Sequence, residues 1–462
     1  MGYMLKCSTF TNALKGSLRL YSVISTPLNV CGKKYVTDEK MTNITQSIVD
    51  LTGRGLHLKD SHPVGILRDA IETKLNSTDS AFKCYNDFQP VVSVYENFDS
   101  LGFPADHPGR SKSDTYYVNG EQLLRTHTSA HEMECFAHIR NGKSNQSGFL
   151  ISADVYRRDE IDRTHYPVFH QMEGCRLWTR KPQDGHIQQL RDDLSKLQSQ
   201  LALQKTKIIV EDDSSLEGNP KQDYMSHEEV ELCSQHLKRS VELVVAEVFE
   251  RKLESMRREE GLEIPSELKC RWIKAYFPWT APSWEIEVWW QGDWLELCGC
   301  GLVQQEVSKN AGFPAESTIS WAFGLGLDRI AMLLFEIPDI RLFWTQDERF
   351  HNQFKKGVIS TFKPYSKYPG STRDIAFWLP SDKDYKDIHT NDVMEIVRTA
   401  AGDLVENVKL VDQFTHPKKL KKSLCYRINY QSMDRNITNS EVNEIQNEVA
   451  KQLVEKFDVE IR

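Results

Sequence analysis

The stretch that most constrains this chain is Trp321–Phe335, WAFGLGLDRIAMLLF, where two glycines two residues apart lead into an apolar helical run. Arg329 stands there among Leu325, Leu327, Ile330, Leu333 and Leu334, so burying this run would bury a charge with it. A guanidinium taken out of water needs a fixed anionic partner, and its planar fork suits a phosphate or carboxylate better than an ammonium does. Gly324 and Gly326 allow backbone or ligand to come close. Two readings follow: Arg329 pairs with a local acid, Asp328 or Asp339, or it holds the phosphate of a ligand.

At 462 residues the chain is long enough for two or three domains, on the usual scale of roughly 100–200 residues each. Its 58 Lys and Arg against 66 Asp and Glu give a formal charge of −8, so a nucleic-acid partner would have to meet local basic patches. Ten scattered cysteines contain no CxxC pair, which fits a reducing compartment and no disulfide framework. No apolar run of about 18 residues exists, so no membrane span is expected. Residues 1–37 carry five Lys and Arg, many hydroxyls and no acid, the composition of a mitochondrial transit peptide, with Arg19–Ser22 as a processing site.

Along the chain, 61–77 reads as a helix with Ser61 as N-cap and Pro63 in its first turn. A long loop, 96–118, follows. In THTSAHE, Thr126–Glu132, His127 and His131 stand at i, i+4, but a third ligand would fall on the wrong face for zinc, and hydrogen-bonding to a polar ligand fits better. Phe149–Asp159 and Tyr166–Leu177 read as strands of a hairpin, with Phe169, Gln171 and Glu173 on one face, the floor of a site or a solvated sheet face. Residues 184–261 read as a helical insertion, and 270–302 as three aromatic-rich antiparallel strands in which Phe277 and Trp279 break the alternation.

After a polar connector at 346–364, residues 365–462 follow a βαββαβ order, the ferredoxin-like unit. Lys418, Lys419, Lys421 and Lys422 crowd the turn between its middle strands. Lys363, Lys367 and Arg373 crowd its entry, interleaved with Tyr365 and Tyr368. Cations mixed with aromatics suit single-stranded RNA, although a solvated charged turn has the same composition.

Seven segments occur in an order that is itself informative: Asn97–Arg110, Leu123–Glu132, Asp154–Gly174, Ala275–Glu285, Leu297–Val303, Trp321–Met332 and Phe362–Leu379. Together they resemble the class II aminoacyl-tRNA synthetases, most closely the single-chain mitochondrial phenylalanyl branch, over about 55–180 and 265–462. The resemblance implies an α+β fold: an antiparallel catalytic sheet flanked by helices at 38–345, and a ferredoxin-like anticodon-binding domain at 365–462. It also implies ATP with Mg²⁺, L-phenylalanine and tRNA(Phe) as ligands, a monomer, and the mitochondrial matrix. By motif position, Arg157 would hold the α-phosphate, His165 the outer phosphates and Arg329 the γ-phosphate. His127, Ser129, Gln171 and Glu173 would orient the amino acid's carboxylate and ammonium. Phe277 and Trp279 would flank its ring, with Ala322 at the far end. Trp279 departs from the family's usual phenylalanine. A non-catalytic RNA-binding protein that keeps this fold is the rival reading, and the four groups Arg157, His165, Glu173 and Arg329 argue against it.

Overall fold

Burial on both faces of the strands organises the larger part of the molecule. The computed structural model describes residues 27–213, 218–261, 267–364 and 368–462. Eight strands, β1 (Phe82–Tyr85), β2 (Gly148–Tyr156), β3 (Val168–Thr179), β4 (Lys207–Asp213), β5 (Glu267–Lys274), β6 (Thr280–Trp290), β7 (Asp293–Val303) and β8 (Thr318–Gly326), form one sheet in the order β1-β2-β3-β8-β7-β6-β5-β4. The six inner strands are antiparallel, and only the outermost pairs, β1 with β2 and β4 with β5, are parallel. Every residue of β2 is buried, as expected of a strand covered on both faces.

One face is covered by helices. They are α1 (Pro63–Asp79), α3 (Gly185–Ala202), the 34-residue α4 (His227–Glu260) and α5 (Leu327–Phe335). Helix α4 lies against β7 and β8 and sends Leu237, Val241, Val245 and Phe249 into the main core. On the other face α2 (Glu132–Arg140) buries Cys135 and Phe136 against Phe149, Ile151 and Cys175. Beside that patch the sheet is left open as a cavity.

The carboxy-terminal unit repeats the expected order: β9 (Ser371–Trp378), α6 (Thr390–Ala401), β10 (Val405–Thr415), β11 (Lys422–Tyr430), α7 (Asn439–Phe457) and β12 (Glu460–Ile461), in the antiparallel sheet β10-β11-β9-β12. It docks on the body through the β2–β3 loop. Ile161 enters its core, Val408 N–H donates to Ile161 O at 3.1 Å, and Arg158 pairs with Asp392 at 2.9 Å.

Several boundaries differ from expectation for identifiable reasons. Leu28–Val30 and Lys33–Tyr35 form a hairpin turned at Cys31-Gly32, both with positive φ, and Val30 is fully buried, so the folded body reaches into the expected 1–37 leader. Residues 1–26, with the Arg19–Ser22 site, lie outside the described residues. The N-cap of α1 is His62, whose Nδ1 accepts from Val64 N–H, because Pro63 occupies the first helical position. The insertion 184–261 is not wholly helical: Lys207–Asp213 is an edge strand of the catalytic sheet. The 346–364 connector is pinned, with Phe350, Phe354, Ile359 and Phe362 buried in the main core. The run 321–335 is half strand, β8, before it becomes α5.

Candidate active site

The cavity is about 750 Å³ and is lined by β3, β6, β7 and β8, the Thr126–Ser129 segment and the 96–118 loop. Nine of the residues expected at the site meet on its wall: His127, Ser129, Arg157, Gln171, Glu173, Phe277, Trp279, Ala322 and Arg329. Register explains much of this convergence. Glu173 and Gln171 on β3 stand opposite Gly324 and Gly326 on β8, while Ala322 pairs with Cys175 on one side and Gly301 on the other.

One end of the cavity is aromatic. The Phe277 and Trp279 rings stack at 5.9 Å, and Phe103 from the long loop stacks on Trp279 at 5.1 Å and on His127 at 5.6 Å. Gly299 makes room for this wall, since a Cβ there would meet the Phe277 ring at 2.7 Å. Both nitrogens of His127 are shut off from water without a protein partner, and burial, aided by Arg157, pushes the imidazole down to about 3. It is therefore neutral, with one donor and one acceptor to offer a ligand. Behind the wall Thr128 Oγ1 donates to Glu173 Oε2 at 3.1 Å.

The other end is cationic. Arg157 leaves β2 with its backbone N–H bonded to Pro167 O. Its Nε donates to Thr126 O at 2.8 Å and its guanidinium lies 5.2 Å over the Phe169 ring. Burial lowers its pKa from the ordinary value. Arg329 departs from the expectation that it is buried and from the reading that pairs it with a local acid. It is exposed to the cavity rather than buried, because α5 starts at Leu327 and turns this residue to the open side. Neither nearby acid holds it. Asp328 accepts from His170 N–H and lies 3.0 Å from its Nδ1, and Asp339 grips Arg341.

His165 is not on this wall. It is exposed on the β2–β3 loop, its Nδ1 2.7 Å from Asp162, beside Tyr166, which bonds Asp403 of the carboxy-terminal unit. The RNA-directed residues are divided as well. Register sets Arg373 opposite Ile428 and Trp378 opposite Ser423, so the entry group and the Lys418–Lys422 turn stand at opposite ends of β9, about 20 Å apart at the usual strand rise. Arg373 is engaged by Asn439 and Asn443 of α7. Lys421 pairs with Glu460 and Lys422 with Asp384, while Lys418 and Lys419 are exposed. Lys363 is exposed and Tyr368 half-buried; Tyr365 and Lys367 lie outside the described residues.

Residue patterns had left other groups unnamed. Phe103 and His107 come from the 96–118 loop, where no residue pattern singles them out, and Glu285 and Glu296 are hidden among strand alternations. The two carboxylates line the same cavity, and burial followed by the charge of Glu296 raises Glu285. Such a pair fits Mg²⁺, which takes one or two carboxylates together with substrate phosphates. Trp378, Phe414 and Arg462 cluster next to Lys421, the guanidinium 5.0 Å over Trp378 and 5.4 Å over Phe414.

Comparison with known proteins agrees with this division of the chain. Residues 48–208 and 239–354 match the tRNA synthetases class II core domain (F), and 366–462 match the ferredoxin-fold anticodon binding domain. The chain is 64% identical to the mitochondrial phenylalanine--tRNA ligase of Saccharomyces cerevisiae over 97% of its own length and 98% of that protein's. It is 42% identical to the chloroplastic/mitochondrial enzyme of Arabidopsis thaliana, over 92% and 84%, and 39% identical to the mitochondrial enzyme of Mus musculus, over 94% and 89%. With a class II core and an anticodon-binding fold in one chain, and relatives of this identity over nearly its whole length, the chain belongs to the mitochondrial phenylalanine--tRNA ligase family.

Proposed function

We propose that the cavity joins L-phenylalanine to ATP, giving phenylalanyl-adenylate and pyrophosphate, and that the phenylalanyl group is then passed to tRNA(Phe) in the mitochondrial matrix. The observation that carries this reading is that Arg157 and Arg329, neither ion-paired among the described residues, face the same cavity as the acid Glu173 and the aromatic wall. A pure RNA binder has no use for two unpaired guanidinium groups so placed.

The amino acid's ring packs against the wall formed by Phe277 and Trp279 and ends near Ala322. Glu173 and Gln171 take its ammonium, and neutral His127 with Ser129 orients its carboxylate. That carboxylate attacks the α-phosphorus in line while the bond to pyrophosphate breaks, so the chain supplies positioning and charge, not a nucleophile. Arg157 holds the α-phosphate, where negative charge gathers in the transition state, and Arg329 holds the far end of the leaving group. Glu285 and Glu296 would hold Mg²⁺, which neutralises phosphate charge when bound. His165 stays outside this set while it is paired with Asp162.

The carboxy-terminal sheet binds the anticodon through the Trp378, Phe414 and Arg462 group and the adjacent lysine turn, stacking on bases and neutralising phosphates. The chain acts as a monomer. Transfer of labelled phenylalanine to a tRNA(Phe) transcript by the full chain tests the reading. Acid-stable label on the tRNA is expected, and tRNA binding without transfer would favour the non-catalytic alternative.

A further inference from the structure

The segment Asn97–Arg110 supplies none of the residues expected at the site, yet its first residue is fully buried. Asn97 ends the short helix Val94–Asn97, which a Ser93–Glu96 capping box starts, and it is not part of the cavity wall. Its carboxamide holds Thr126 at two points: Oδ1 accepts from Thr126 N–H at 3.0 Å, and Nδ2 donates to Thr126 Oγ1 at 2.8 Å. A backbone N–H can only donate, so the carboxamide's oxygen must face it and the amino group must face the hydroxyl. Thr126 lines the cavity and in turn offers its carbonyl oxygen to Arg157 Nε at 2.8 Å. That bond uses the hydrogen on Nε and leaves those of both terminal nitrogens to the cavity.

We infer that Asn97 is a positioning residue for Arg157. By fixing the N–H and the hydroxyl of Thr126 it fixes the carbonyl oxygen from which the guanidinium hangs, and so aims the terminal nitrogens at the place of the α-phosphate. Among the described residues no carboxylate grips Arg157, so Thr126 O and the Phe169 ring, 5.2 Å from the guanidinium, are what direct its side chain. A carboxamide suits this task because it grips Thr126 by a donor and an acceptor at once without adding a charge that would compete with phosphate for the guanidinium. The role rests on the reading that Arg157 holds the α-phosphate.

The test is a double-mutant cycle read by exchange of labelled pyrophosphate into ATP. Values of kcat and of KM for phenylalanine are measured on the full chain and on its N97A, R157A and N97A/R157A variants. Loosening Arg157 should lower kcat of N97A roughly tenfold or more, since a shift of about 1 Å at a positioned group costs up to about 10²-fold, while KM for phenylalanine stays within about threefold. In the R157A background no guanidinium is left to aim, so adding N97A lowers kcat by less than about twofold further. A loss of the same factor in both backgrounds, a loss confined to KM, or no loss in either overturns the proposal. Exchange by R157A at the wild-type rate overturns the reading of Arg157 and the proposal with it. If N97A does not fold, T126V takes its place in the cycle: it keeps the shape of Thr126 but has no hydroxyl for Asn97 to hold. The same dependence on Arg157 is expected of it, and equal losses in both backgrounds again overturn the proposal.

Discussion

At the scale of residues, the site depends on two guanidinium groups that have no acidic partner among the described residues. Arg329→Ala and Arg157→Ala should each lower adenylate formation by roughly 10²–10³, if each removes one preorganised donor from the transition state, and should leave tRNA affinity nearly unchanged. Pre-steady-state adenylate formation checks this, and near wild-type rates would remove both from the phosphate set. Ala322→Gly deepens the ring's end of the cavity and should admit para-chlorophenylalanine, read as a gain in kcat/KM for that analogue. Gly299→Ala has the opposite effect. Its Cβ meets Phe277 at 2.7 Å, so the ring must shift, and KM for phenylalanine should rise with little change in KM for ATP.

At the scale of elements, the strands and helices of the carboxy-terminal unit were legible from alternation, helical periodicity and turn residues. Thr438 caps α7. Thr438 accepts from Glu441 N–H, but the Glu441 carboxylate is drawn off to Arg435. Edge strand β4 escaped notice because its pairing is parallel and long-range, and nothing local marks it. Arg329 was read as buried since its neighbours in sequence are apolar. Which side of a short helix faces an open cavity is decided by packing, not by composition. His165 was placed by motif position alone, and its pairing with Asp162 depends on a loop shaped by the domain it docks. Removal of residues 371–462 tests the division of labour between the two units. The body should still exchange pyrophosphate into ATP while charging of tRNA is lost, and unchanged tRNA affinity at fixed salt would refute an RNA-binding role for the unit.

The molecule as a whole should be acid-labile in a way its buried histidines dictate. His57 is held near 4, and His62 and His236 near 3, mainly by burial. His236 also accepts the Trp321 indole N–H at 3.0 Å, a bond only the unprotonated nitrogen can receive. The unfolded chain binds protons at these sites from about pH 6.5 downward while the folded chain does not, so stability falls as pH drops below that value. Each group contributes a loss of about 2 kcal/mol by pH 5. Thermal melting between pH 7.5 and 5 (both arbitrary working points, roughly spanning the histidine range) should show a falling midpoint, and a flat profile would mean these imidazoles are not buried neutral.

In the proposed reaction one cavity recognises phenylalanine and activates it with ATP. Exchange of labelled pyrophosphate into ATP measures that step alone, without tRNA. Exchange should require phenylalanine and Mg²⁺, and should collapse in Arg157→Ala and Arg329→Ala. Exchange that is absent from the wild-type chain, or that proceeds equally without phenylalanine, would contradict it.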